Sequence, residues 1–189
     1  MNITRMLWIS FCLAGLLFSQ LLCANDSSVE YKIKSGYLYN FTKFVTWPED
    51  NADTFNLCIL GNDPFGHLID PIEQRSAFGR PIKLFRFPSI DSINATSDLS
   101  LHCHMLFVSS SIQDSPFMIK GKLGFRDIDN TLTIGDSETF AMQGGMIGFI
   151  NRQGKIKLQI NLKTIKEGGL KVSAKLLEVS ELVEGGSND

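Results

Sequence analysis

The chain has 189 residues, 43% of them hydrophobic, with 18 basic side chains against 20 acidic ones and a formal net charge of −2. That length suits one domain, large enough to bury roughly 70% of the surface its unfolded chain exposes. With no basic excess to hold a phosphate backbone, nucleic acid is excluded as an expected partner.

At the start, Arg5 precedes an uncharged apolar run from Met6 to Leu22, then small Ala24 and the polar Asn25-Asp26-Ser27-Ser28. This order reads as a cleavable secretion signal over residues 1–24. The run is short for a ~30 Å hydrocarbon core and is broken by Ser10, Ser19 and Gln20. Leu22 before Cys23 is larger than lipoprotein processing expects. The expected organisation is therefore a signal, one domain over residues 25–183, and a flexible tail over residues 184–189. Of four cysteines, Cys12 and Cys23 fall within the signal, leaving Cys58 and Cys103. An even pair in an exported chain reads as a disulfide, with two buried thiols on neighbouring strands as the other reading.

Ser27-x-x-Glu30 is a candidate capping box. The stripe Ile33, Tyr37, Phe41, Phe44 and Val45 predicts a helix ended by Pro48. Phe55–Leu60 is an apolar run with strand character, followed by the turn Gly61-Asn62-Asp63-Pro64 and a predicted helix reaching Phe78 before Gly79. Pro81–Phe87 alternates as a second strand, and Cys103–Ser109 reads as a third, with Ser110 and Ser111 as candidate caps for the next element. Leu123–Asp127 and Thr131–Ile134 suggest short strands. Met146–Ile150, the turn Asn151–Gly154 and the alternating Lys155–Lys163 predict a β-hairpin with one buried face. A helical turn over Thr164–Glu167 leads to Gly168-Gly169. A closing amphipathic helix then carries Val172, Leu176, Leu177, Val179 and Leu182. Helices between the early strands and a late hairpin predict a single-domain α/β sandwich, a mixed β-sheet flanked by helices on both faces.

Catalysis needs a constellation, and none is legible. His102 and His104 share one face of a strand, but no third ligand with metal spacing accompanies them. Gly61–Gly66 follows a strand yet lacks the dinucleotide and P-loop patterns, and reads as a structural turn. Gly144, Gly145 and Gly148 suit close backbone approach. Asp127, Asp129, Asp136 and Glu138 sit at turn positions that solvation explains. No catalytic residue, cofactor or metal is expected. Of the aromatics between Tyr37 and Trp47, Trp47 is the candidate partner contact.

The stretch Tyr31–Pro48 (YKIKSGYLYNFTKFVTWP) resembles the opening of the YfiR (HmsC-like) family. Leu57–Gly61, Cys103–Val108, Gly144–Phe149 and the ending Ile160-Asn-Leu…Gly169–Leu177 also resemble that family, in the same order, over about residues 29–182. The resemblance implies an α/β sandwich acting as a periplasmic repressor of an inner-membrane diguanylate cyclase. It lowers cyclic-di-GMP and biofilm output until an OmpA-like outer-membrane lipoprotein sequesters it, and self-association is expected. The pair Cys58 and Cys103 matches a family cysteine pair, which favours the disulfide. A second pair found in some members, near Phe140–Ile147, has no counterpart here. The implied partner surface is the loop Gly168–Ser173 (Leu170, Lys171, Val172 and Ser173 foremost), with Lys43–Trp47 as a second candidate. Ligand sites there use basic or histidine side chains in some members, where this chain has Thr46 and Ser173. A different class of reading is a periplasmic protein that binds or senses a small molecule.

Overall fold

A computed structural model describes residues 24–96, 101–123 and 129–184. The expected signal, most of the predicted tail and most of the strand suggested over Leu123–Asp127 lie outside the described residues.

In chain order the elements are α1 (Ala24–Phe44), β1 (Val45–Thr46), β2 (Phe55–Leu60), two 3-10 turns (Gly66–Leu68 and Asp70–Gln74), β3 (Ser76–Ala77), β4 (Arg80–Phe87) and α2 (Ile90–Asn94). They continue with β5 (Met105–Val108), α3 (Pro116–Leu123), β6 (Leu132–Gly135), β7 (Ile147–Arg152), β8 (Lys155–Ile160), α4 (Leu162–Glu167), β9 (Lys171–Val172), α5 (Ala174–Glu178) and β10 (Glu181–Leu182). Eight strands form one sheet in the order β10-β8-β7-β6-β5-β2-β4-β3, and β1 and β9 form a separate two-stranded ribbon. The strands β4, β2, β5, β6 and β7 run parallel, β8 is antiparallel to β7 and parallel to β10, and β3 is antiparallel to β4.

Strand alternation divides the core in two. Phe55, Leu57 and Ile59 of β2, Met105 and Phe107 of β5, Leu132 and Ile134 of β6 and Phe149 of β7 face a large cluster that Leu38, Phe41 and Val45 complete from above. Cys58, Leu60, Leu106 and Val108 face the opposite side, covered by Ile90 and Ile93 of α2 and Ile119 and Leu123 of α3. The expected sandwich is therefore present. All six residues of β2 are buried, which is what a central strand covered on both faces requires.

Several local expectations give way to tertiary pairing. α1 is already under way at Ala24, so Ser27 lies inside the helix and does not open it. It stops at Phe44 because Val45 and Thr46 pair with Val172 and Lys171. The helix predicted to Phe78 is two 3-10 turns: Pro71 has no N–H to donate to a continuing α-helix and sits instead in the first turn of the second 3-10 segment. Ser76 and Ala77 then form a hairpin with β4 whose two-residue turn is Phe78-Gly79, both at positive φ (53° and 76°). The predicted hairpin at β7–β8 is present with a tighter turn, Gln153-Gly154 (φ 54° and 75°), the mirror-image turn that matches strand twist. Its second arm ends at Ile160, since Asn161 caps α4 by accepting from Thr164 N at 3.1 Å. The closing helix shortens to Ala174–Glu178, capped by Ser173, because the residues on either side are drawn into β9 and β10. The polar stretch after β4 contains α2, opened by a reciprocal Ser89–Ser92 capping box.

Candidate interaction site

The β1–β9 ribbon brings the two sequence-predicted surfaces together. Val45 pairs with Val172 and Thr46 with Lys171, and Ser173 N donates to Phe44 O at 2.8 Å. The end of α1 and the loop after α4 are thus one face. Lys171 is exposed, and Val172 and Ser173 are half-buried. Leu170 is only 2% exposed and anchors the loop from below.

Trp47 departs from its expected role. It is 7% exposed, its Nε1 donates to His104 O at 2.9 Å, and its ring meets Phe55 and Phe78 edge-on at 5.1 and 5.6 Å. A buried indole needs such an acceptor, and here it ties the chain after β1 to the entry of β5. Trp47 therefore holds the ribbon in place from within. Of the rings packed around Trp47, the one that reaches the surface is Phe78, 52% exposed, held in the left-handed region that costs a non-glycine residue about 1–2 kcal/mol. Nothing in the sequence announces it except the Phe78-Gly79 pair, which reads equally well as the end of a helix.

The face is basic. Lys43 Nζ lies 4.5 Å and Arg75 Cζ 5.5 Å from the centre of the Tyr39 ring. Among the described residues neither cation, nor Lys171, has a carboxylate within salt-bridge distance. The Tyr39 ring attracts both cations, and both side chains are exposed.

Beneath this face His104 is completely buried. Its Nδ1 accepts from Asn56 N at 2.9 Å, so the ring proton sits on Nε2, which faces Asp50 Oδ2 at 3.0 Å. His102 and His104 are brought together as expected, with ring centres 5.0 Å apart. Both nitrogens of His104 are occupied, however, and no group of metal-ligating side chains occurs among the described residues. Burial pushes the His104 imidazole down to about 4; the Asp50 hydrogen bond opposes this, and the charges of His102 and Arg80 add to it. Burial also acts to raise the Asp50 carboxyl. Bonds from Ala52 N, Arg80 and His104 outweigh it and hold Asp50 below the ordinary carboxylate range. The linkage has a definite sign. Between about pH 6.5 and pH 4 the unfolded chain takes up a proton on His104 that the folded chain refuses, so stability falls as pH falls through that window. The expected loss is on the order of 3 kcal/mol. Denaturant unfolding across that range should show it, and His104→Gln should flatten the curve; an unchanged slope in the variant would assign the effect elsewhere.

Cys58 and Cys103 form a disulfide, with Cα atoms 5.8 Å apart. The turn Gly61–Gly66 is structural: Asp63 Oδ1 accepts from Phe65 N at 2.8 Å, and its other oxygen accepts from Arg86 at 2.6 Å. Of the glycines in the later stretch, Gly145 gives the expected close approach, since a Cβ there would lie 2.2 Å from the Phe140 ring. No helix among the described residues is long and apolar enough to cross a membrane.

Comparison with curated proteins gives no match. Among solved structures, the chain is similar to an ABC domain from Streptococcus pneumonia in complex with L-Trp, at 13% identity and a TM-score of 0.46. That alignment covers 77% of this chain and 59% of the other, so the chain spans under two thirds of that protein's length. The profile of YfiR/HmsC-like proteins matches residues 31–181, from the first turns of α1 to β10, and the chain therefore belongs to the YfiR/HmsC-like family.

Proposed function

We propose that this protein is a non-enzymatic periplasmic regulator. It binds the periplasmic part of an inner-membrane diguanylate cyclase through the β1–β9 face and holds it inactive, lowering cyclic-di-GMP and with it exopolysaccharide and biofilm output. Family membership supports the class of function. The observation that carries the site is the pairing of Val45–Thr46 with Lys171–Val172, which makes one surface of two segments far apart in sequence. Its unpaired Lys43, Arg75 and Lys171 suit an acidic patch on the cyclase. Repression needs no chemistry. The regulator must bind the inactive cyclase more tightly than the active one, and an OmpA-like lipoprotein competing for the same face would release it.

The test is binding between the secreted protein and the periplasmic domain of a diguanylate cyclase encoded beside its gene. Lys171→Glu, at an exposed position, is expected to weaken binding at least about tenfold, roughly 1.4 kcal/mol, without changing the melting temperature. Val172→Asp is expected to abolish it. Wild-type affinity retained by both folded variants would move the site off this face, and no binding by the wild type would remove the repressor reading.

A further inference from the structure

The parallel strands follow the order β4-β2-β5-β6-β7, so the chain steps from β2 to β4 on one side and resumes at β5 on the other. Open α/β sheets bind ligands at the carboxyl ends of the strands flanking such a reversal. Here the crevice between β2 and β5 is stoppered. Gly61, at φ 96°, has no side chain, and Ser111 Oγ stands 2.6 Å from where a Cβ would be, with Ile112 beside it. Ser111 Oγ also accepts from Asn62 N at 2.9 Å, and Ser109 N donates to Leu60 O at 2.9 Å. The opening is displaced by one strand, to a cavity of about 180 Å³ between the loops after β5 and β6. It lies at the far end of β5 from Trp47 and His104.

Its lining has a distinctive chemistry. Ser109, Ser110 and Gln113 come from the first loop, and Ser137, Thr139 and Gln143 from the second. These four hydroxyls and two carboxamides can each donate and accept. Among the described residues the one charged side chain lining it, Asp114, is already engaged: both carboxylate oxygens accept from Lys122 Nζ at 2.8 Å. Val108, Ile112 and Phe140 supply apolar surface. A charged ligand would lose hydration there, and among the described lining residues no free counter-charge replaces it. A neutral ring bearing hydroxyls would exchange hydrogen bonds with the walls and lay its carbon skeleton on the apolar residues. A cavity of ~150 Å³ in another protein holds benzene, so this one accommodates a single six-membered ring.

We propose that this cavity is a binding site for a neutral pyranose, either a free monosaccharide or the terminal residue of a glycan. The site is independent of what the β1–β9 face binds.

The experiment is a titration of the isotope-labelled secreted protein with D-glucose, D-galactose and N-acetyl-D-glucosamine, with D-glucuronate as the anionic control. Amide shifts are followed at Ser109–Asp114 and Ser137–Gln143. At least one neutral sugar is expected to shift both loops with a dissociation constant on the order of 1 mM, and glucuronate to bind at least about tenfold more weakly. Gln143→Trp, at an exposed rim position, should fill the cavity and abolish the shifts. Thr139→Val, which keeps the volume and removes one hydroxyl, should weaken binding about tenfold and serves if the first variant misfolds. Cellobiose binding as well as glucose would assign a glycan end, and binding of monosaccharide alone would assign a free sugar. No response at these amides to any neutral sugar, or tighter binding of glucuronate, would overturn the proposal.

Discussion

Reduction of the Cys58–Cys103 disulfide is expected to lower the unfolding free energy by about 4 kcal/mol and the melting temperature by about 10 °C. The bridge spans a separation of 45 residues, and this loop contains both 3-10 turns, β3, β4 and α2. It encloses the excursion in which the chain leaves β2 for the β4 side of the sheet and returns to form β5. On the chain-entropy account the cross-link removes conformations mainly from the unfolded state, so the folded structure should survive reduction with its pairing intact. Cys58 is completely buried against the face covered by α2 and α3, which makes slow reduction of the native state a further expectation. Denaturant unfolding with and without reductant measures the effect. The double variant Cys58→Ala/Cys103→Ala should lose stability and become indifferent to reductant. A wild-type midpoint that ignores reductant, with thiol titration showing the bridge open, would sink the claim.

Lys34→Met is expected to cost about 3–5 kcal/mol. Lys34 and Asp136 form an ion pair whose side chains are 5% and 2% exposed, and Glu30 joins Lys34 from the preceding turn. Tyr31 OH completes the cluster, donating to Asp136 Oδ2 at 2.7 Å. Burial pushes the Tyr31 phenol up, and the adjacent carboxylate of Asp136 pushes it further, so it remains a donor at any physiological pH. Removing the lysine strands a buried carboxylate on one hydroxyl, and the penalty is that of an uncompensated charge rather than of a lost contact. The double variant Lys34→Met/Asp136→Asn should recover most of the loss, because the amide oxygen still accepts from Tyr31 and no net charge remains inside. A double-mutant cycle measures the coupling, and a value below about 1 kcal/mol would place the pair with ordinary surface salt bridges. The consequence reaches the interaction site. Asp136 follows β6 directly, so the cluster pins the first half of α1 to the carboxyl end of the sheet, while its other end runs into β1. A loosened helix would carry the ribbon with it.

The parts of the fold that could be read in advance are those whose partners are near in sequence or whose burial is complete. Phe55–Leu60 and Met105–Val108 announce themselves as continuous apolar runs because both of their faces are covered. The β7–β8 hairpin is legible because Leu158 and Ile160 alternate with Lys157 and Gln159 beside a short turn. The site was half legible. The residues around Thr46 and Lys171 could be named from the family resemblance, but their pairing could not, and Trp47 looked like an anchor because an aromatic after a helix carries no mark of burial. Lys34 carries no sequence mark of burial, and Asp136, expected to be a solvated turn acid, instead has a side chain only 2% exposed and paired with Lys34, because α1 packs over the end of β6.

By itself the sequence determined the periodicities: which segments are apolar, which alternate, where proline and glycine interrupt, and where Cys58 and Cys103 stand relative to the predicted strands. Only the tertiary structure decided what local preference leaves nearly degenerate. The residues from Val172 to Leu182 have helical spacing, yet β9 and β10 take both ends, because backbone bonds to β1 and β8 are gained only when the sheet is assembled. For two-residue strands local propensity is worth a few tenths of a kcal/mol per residue, and pairing with a distant, already ordered strand outweighs it.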